Sequence, residues 1–403
     1  RASDLSNSWL GTEWGAKFKA LLSKFFKFEV IVTSANGRWF DNAAVVTNLL
    51  ILEKRNEVEE PNAEEITKFI TIQKDLKNIE NYEELETLYE DIITNNSCDS
   101  FVVREYATIN ILNINLNWNA LFTNISWLEQ IEDKLIDCSS LYEINRGERR
   151  GQNEMFYPAA GHNIEPDYIK PVLKTPRHIN TLIARAETDA FCCSDSIEEL
   201  EDFGMTGTLN WINKFQCKFN NKGEPLPEVL IKTAGEDCYW YEMNDSTMAD
   251  LVASVNFNKR IFIAKLDHRS FVDQRLTRFT CLNEDIDIDL THALLNSIVG
   301  VFYLEALGFG RGLGALDSSP TSLKKNLKIL NPDLLTDNQK SLIKEKFELF
   351  KNRDIMDIED EFSDSIRIDF ENTVLEAYGI LHLKQEILNA FFFLYNMRTS
   401  VNN

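Results

Sequence analysis

No two prolines are adjacent anywhere in this 403-residue chain, although nine are present. A catalytic loop built on a Pro-Pro pair is therefore excluded. Paired cysteines are lacking too. The seven (Cys98, Cys138, Cys192, Cys193, Cys217, Cys238, Cys281) contain no C-x-x-C, so a zinc cluster is not expected. Vicinal Cys192-Cys193 leaves a redox switch open, with buried thiols as the plainer reading. The five histidines (His162, His178, His268, His292, His382) show no metalloenzyme spacing. The carboxylate run 284–289 lacks the acid, spacer, E-x-K pattern of restriction nucleases and reads as helix-start acid. No metal site is expected.

Long apolar runs are also missing. The longest, Leu294 to Leu307, is interrupted by Asn296, Ser297 and Glu305, so no membrane span or membrane partner is expected. No signal peptide is recognisable, and a cytoplasmic location is expected. The chain opens on Arg1 rather than Met, and an internal start is the simplest expectation. Positive charge is scarce: 42 Lys and Arg against 64 Asp and Glu give a net charge of −22. In bulk this opposes a polyanionic partner. The acid, however, is concentrated at 53–91, 187–202 and 354–371, whereas cations gather at Arg146, Arg149, Arg150, at Lys170, Lys174, Arg177 and at Lys324, Lys325, Lys328. The local field decides binding.

Length and composition fit two or three domains with real cores. Residues 13–27 have helical spacing, with Trp14, Phe18, Leu21, Leu22 and Phe25 sharing a face. Strands are predicted at 28–32 and 44–52 around a tight loop, like the edge of an α/β sheet whose other strands lie upstream of Arg1. Residues 60–97 read as an acidic helical insertion, with one helix starting at Pro61-Asn62 and another at Asn81. One or two strands follow at 101–116, and an amphipathic helix at 118–136. From about 139 the texture becomes mainly β and irregular, with strand-like runs at 228–232, 238–242, 260–266 and 278–282. Asp287 or Asp289 caps a long helix through Leu307, and Gly308 ends it. Helices are predicted again at 337–352 and 371–397. The fold class is α+β and multidomain. Its expected parts are a Rossmann-like remnant (1–55), an acidic helical connector (56–138), a mainly β recognition domain (139–335) and a helical C-terminal region (336–403).

Several motifs stand in a telling order. Ser6-Asn7-Ser8-Trp9-Leu10 precedes Arg38-Trp39-Phe40-Asp41, Val45-Val46-Thr47 and an apolar strand. Glu143 to Asn153 carries Arg146-Gly147, Arg149, Arg150-Gly151 and ends before Phe156. Two glycines in a turn can hold basic side chains outward and let backbone approach phosphate; a solvated turn reads equally well. Residues 166–174, Asn296-Ser297, Asn331-Pro332 and a tail containing Arg367, Asp369, Phe370, Leu375 and Tyr378-Gly379-Ile380 follow. Gly308, Gly310, Gly312 and Gly314 follow a helix, not a strand, which disfavours a cofactor turn. A DNA-facing loop presenting Arg311 and a plain helix-ending linker both remain.

In that order the pieces resemble the C-terminal part of bacterial adenine-N6 DNA methyltransferases of restriction-modification systems, across most of 5–53 and 118–397. The resemblance implies that Phe40, with Trp39 and Asn7, belongs to the target-base pocket, Phe40 stacking on the extruded adenine. It implies a target recognition domain opening at the Arg146 segment, where Arg150 replaces the family's usual Thr. Arg146, Gly147, Arg149, Arg150, Gly151, Asn153, Arg311, Lys324 and Lys325 are the expected contacts to double-stranded DNA. The Asn/Asp-Pro-Pro-aromatic loop of the family is absent. No catalytic residue is therefore expected here, no cofactor is expected to be bound by this chain, and the chain alone is expected to be inactive. In the intact enzyme S-adenosylmethionine would serve a missing N-terminal catalytic domain. Two rivals remain: an acidic protein-interaction or DNA-mimic module, favoured by net charge, and a free-standing specificity subunit, disfavoured by an unpaired sheet edge.

Overall fold

The computed structural model describes residues 2–36, 39–40, 46–74, 79, 81–94, 101–234, 237–311 and 314–400. A first sheet holds β1 (Ala2–Ser6), β2 (Phe26–Ser34), β3 (Thr47–Lys54), β4 (Ile66–Ile72) and β5 (Phe101–Ala107), in the order β1-β3-β2-β4-β5. β2 and β4 run parallel; the other neighbours are antiparallel. Alternation along the strands puts Ile31, Leu50 and Phe69 into the main core and Val32, Ile70 and Ile72 on the opposite face, under Trp39.

Among the described residues of the segment 60–97, expected to be helical, are β4 and one helix at Tyr82–Thr94. The β-branched alternation of Ile66 to Ile72 outweighs the start signal at Pro61-Asn62. The helix Glu13–Phe25 forms as expected but turns a different face inward. Gly15, Lys19 and Ser23 are buried, while Trp14 and Leu21 are exposed. The missing side chain of Gly15 permits this approach, since a Cβ there would lie 2.0 Å from the Trp9 carbonyl. The Lys19 ammonium then donates to the Leu10 carbonyl and lies over the Trp118 ring.

Downstream strands are β6 (Leu135–Asp137), β7 (Tyr142–Arg146), β8 (Ile169–Leu173), β9 (Ile183–Ala184), β10 (Thr188–Phe191), β11 (Ala249–Ser254), β12 (Asn256–Phe257), β13 (Ile263–Val272), β14 (Leu276–Cys281), β15 (Phe309–Arg311), β16 (Ala315–Asp317) and β17 (Lys328–Leu330). The order β10-β8-β13-β11-β14-β7 makes a second large sheet, with β9 beside β13. Smaller sheets pair β12-β16-β15 and β17-β6. Residues 228–232, expected to be extended, lie in the helix Leu226–Ala234, and 238–242 form turns. The expected helix at 118–136 is cut into a 3-10 turn at Trp118–Phe122 and a short helix at Trp127–Ile131. The Asn124 side chain, accepting from the Ser126 amide and hydroxyl, competes with helix continuation there.

The long helix expected to run through Leu307 is two, Ile288–Leu295 and Ile298–Leu307, bent by 63°. No single described helix is long and apolar enough to cross a membrane. The second of the pair is buried along its whole length and packs against the C-terminal helix Lys384–Thr399. Helices Asp337–Lys351 and Ser365–Ala377 complete the C-terminal region. One apolar core joins the first sheet, these helices and much of the second sheet. A second core gathers Phe156, Phe191, Leu200, Ile212, Phe215 and Leu230 around Phe271 of β13.

Candidate nucleic-acid interface

The end of β7 is bound to the turn 273–275 that links β13 to β14, two strands that flank β11 in the sheet. Arg146 pairs with Thr277 in the ladder, and the chain then leaves the sheet. The Gly147 amide donates to the Leu276 carbonyl at 2.9 Å and the Glu148 amide to the Val272 carbonyl at 2.7 Å. The Gln274 amide returns a bond to the Glu148 carbonyl at 3.1 Å. On the other side the Asp273 amide donates to the Leu173 carbonyl at 3.0 Å, at the end of β8. Three chain segments are thus joined at the tip Asp273-Gln274-Arg275. The tip is itself closed by Asp273, whose carboxylate accepts from the Arg275 amide at 3.2 Å.

Cations converge on this junction. The Arg146 Nε donates to the Gln274 carbonyl at 2.7 Å while its side chain remains exposed. Arg149 and Arg275 are exposed. The Lys174 ammonium lies 5.0 Å from the centre of the Tyr157 ring. Glu148 and Asp273 share the patch, with Asp273 buried. Arg275 was not among the expected contacts. Its signal was the Asp-Gln-Arg turn between two apolar strands, which becomes legible only when β14 is paired with β7.

Gly147 is buried rather than open to a ligand. A Cβ there would lie 2.4 Å from the Asp273 carbonyl and 2.5 Å from that of Val272, so glycine lets the two segments meet. Arg150 also departs from expectation. It is only 5% exposed, its Nη2 donates to the Trp240 carbonyl at 3.0 Å, and its guanidinium sits 4.8 Å over the Phe156 ring. Burial lowers its affinity for the proton below the ordinary arginine value. It binds the loop 238–242 and is not presented to a phosphate. Gly151, at φ +80°, turns the chain into the helix Asn153–Phe156, on which Asn153 is exposed.

The other expected contacts lie elsewhere. Arg311 ends β15 at the tip of the β15–β16 hairpin; its side chain and residues 312–313 lie outside the described residues. That hairpin follows a helix and is held at the Gly314 carbonyl by the Arg398 guanidinium, itself ion-paired with buried Glu305. Lys324 and Lys325 are exposed in the last turn of the helix Pro320–Asn326, which packs on β7. Trp39 packs over Val32, Ile70, Ile72 and Phe101, and its buried Nε1 meets no acceptor among the described residues. Phe40 is 50% exposed. Asn7 donates its amide to the Val46 carbonyl and lines a small cavity with Gly310, Glu305 and Arg398. Arg38 and residues 41–45 lie outside the described residues. A cleft of about 1200 Å³ runs along β5 beside Tyr303 and Lys328, away from the basic tip. Among the described residues no three His, Cys, Asp or Glu side chains are placed to share a metal ion.

The fold is similar to one half of a solved restriction-modification enzyme. All of it superposes on 50% of the type IIL restriction-modification enzyme MmeI, solved in complex with DNA, with a TM-score of 0.51 and 14% identity. The type IIG restriction endonuclease BpuSI matches 99% of this chain with 47% of its own, at a TM-score of 0.49 and 15% identity. A type I restriction-modification S subunit from M. genitalium matches 53% of this chain with 38% of its own, at 0.25 and 13%. The chain spans about half the length of the first two solved proteins. No protein-family profile matches the sequence. No curated protein matches it.

Proposed function

We propose that this chain is the DNA-reading part of a site-specific adenine-N6 DNA methyltransferase of a bacterial restriction-modification system. The carrying observation is the joined tip that gathers Arg146, Arg149, Lys174 and Arg275 on a chain of net charge −22, within a fold shared with MmeI. Exposed cations on a stapled turn suit phosphate contacts, and Asn153 nearby suits a base edge. In this reading Phe40 stacks on the extruded adenine, and double-stranded DNA is the partner. Methyl transfer from S-adenosylmethionine belongs to a catalytic domain N-terminal to these residues. The glycines of 308–314 do not fit that cofactor, because their hairpin follows a helix and is pinned to Arg398. No step of methyl transfer is assigned to the residues of this chain.

Titration with duplex DNA at low and moderate salt tests the reading. Binding should weaken steeply with salt, and the Arg149→Ala/Arg275→Ala double variant should lower the slope of log K against log salt by about 2. Absence of binding at low salt would favour an acidic protein-binding module instead.

A further inference from the structure

Beside the basic tip lies an aromatic loop that the phosphate contacts leave unused. Arg150 attaches it, through the Trp240 carbonyl at 3.0 Å. Within the loop Tyr239 lies flat on Tyr241, with ring centres 5.3 Å apart and planes 7° from parallel. Tyr241 is buried, and its hydroxyl donates to the Asp195 carbonyl at 2.9 Å. Trp240 meets Tyr241 edge-on at 5.5 Å. The Tyr239 amide donates to the Glu242 carboxylate at 2.9 Å, which closes the turn. Tyr239 itself is 42% exposed.

The arrangement is unusual for a surface tyrosine. The ring is held in an offset stack on a buried second ring while 42% of the residue stays exposed. The loop is tied by its neighbours before any ligand arrives, so little ordering cost remains on contact. Its anchor, Arg150, is adjacent in sequence to Arg149 of the phosphate-gripping patch. A π-face held beside cations is the arrangement by which proteins take up single bases: the backbone is held electrostatically and the base stacks.

We infer that Tyr239, backed by Tyr241, is a stacking platform for an unpaired base of the bound DNA. The inference rests on the DNA-reading function proposed above and adds a specific ligand face to it. A duplex in which one base has been extruded leaves an orphaned partner and opened neighbours, and a rigid aromatic face replaces the lost stacking. Stacking on such a ring is tolerant of base identity because every base has a π-face.

The experiment compares two short duplexes with the full chain: one fully paired, the other carrying a single unpaired 2-aminopurine. The wild type should prefer the second by about tenfold or more and quench its fluorescence. Tyr239→Leu should collapse the ratio of the two affinities and the quench, and Tyr239→Phe should restore both. Arg149→Ala should lower both affinities together and keep the ratio. Equal binding of the two duplexes by the wild type, or an unchanged ratio and quench in Tyr239→Leu, overturns the platform while leaving DNA binding intact. Failure of the wild type to bind either duplex overturns the DNA-reading function and the platform with it. A melting curve for Tyr239→Leu that matches the wild type excludes unfolding as the cause of a lost ratio.

Discussion

Arg150 donates to the Trp240 carbonyl beneath the surface, while Arg149, one residue earlier, is exposed. The run of arginines in sequence carries no mark of this division, because the turn at Gly151 and the packing of Phe156 decide it. The two residues should therefore fail differently. Arg150→Ala removes a charge-assisted bond and a contact with the Phe156 ring, and should cost about 2 kcal/mol in urea unfolding. Arg149→Ala should leave the unfolding curve within about 0.5 kcal/mol of wild type and weaken DNA binding. Equal stability losses in the two variants would contradict the burial of Arg150. The vicinal thiols follow the same logic. Burial pushes Cys192 and Cys193 up to about 12, so both are poor thiolates at neutral pH. Among the described cysteines, a thiol reagent should label exposed Cys217 before the buried pair in the native protein.

The bend between Ile288–Leu295 and Ile298–Leu307 shows what an element requires beyond periodicity. Asn296 interrupts an otherwise apolar run because it serves β13: its Oδ1 accepts from the Ile263 amide at 3.1 Å and its Nδ2 donates to the Ile263 carbonyl at 2.8 Å. The Ile298 amide, freed by the break, donates to buried Glu371, which Arg367 neutralises. Asn296→Ala should leave the Ile263 amide without its side-chain acceptor, the carbonyl keeping its contact with His292, and cost about 2 kcal/mol in urea unfolding. His292 contacts the same carbonyl at 2.9 Å, edge-on to Phe347 and within the field of Lys265, Asp289 and Lys351. Burial lowers its pKa to about 3, so the folded state keeps it neutral. The unfolded chain protonates near 6.5, so its contribution is full above that pH and is lost as pH falls from 6.5 towards 3. Between pH 7 and pH 5 the wild type should lose about 2 kcal/mol more than His292→Gln. Equal losses would show that His292 is not held neutral.

Sequence periodicity located the helix Glu13–Phe25, two of the downstream strands (β13 and β14) and, apart from the break at 378–383, the C-terminal helices, because each has a regular apolar repeat. It misjudged which face of Glu13–Phe25 is buried, since a close approach at Gly15 outweighs side-chain hydrophobicity. It took residues 228–232, which lie in the helix Leu226–Ala234, for a strand because a short apolar run fits either element. Of the candidate interface, the Arg146–Arg149 segment was visible as a basic turn. Arg275 was not, because its place depends on a turn 128 residues away in the chain, the separation between Arg146 and Gln274.

At the scale of the whole molecule, opposite charges have separate tasks. Most of the acid is solvated, and three of the buried carboxylates, Glu305, Glu361 and Glu371, are matched by Arg398, Arg353 and Arg367. The exposed acid therefore contributes self-repulsion to the folded state at net charge −22. Salt screens that repulsion, and it also restores the counterions that DNA binding releases. The two effects have opposite signs and can be read on one sample. Raising sodium chloride from about 50 to about 300 mM should raise the melting temperature of the free protein while lowering its DNA affinity. If Arg146, Arg149, Lys174 and Arg275 each meet one phosphate, log K should fall against log salt with a slope of about −3.5. A slope near zero would place any DNA contact away from the basic tip. A melting temperature that falls with salt would show that ion pairs such as Arg55–Glu65 outweigh the repulsion. In that case the acidic surface would be cohesive, and the separation of charge would no longer account for how so anionic a chain approaches DNA.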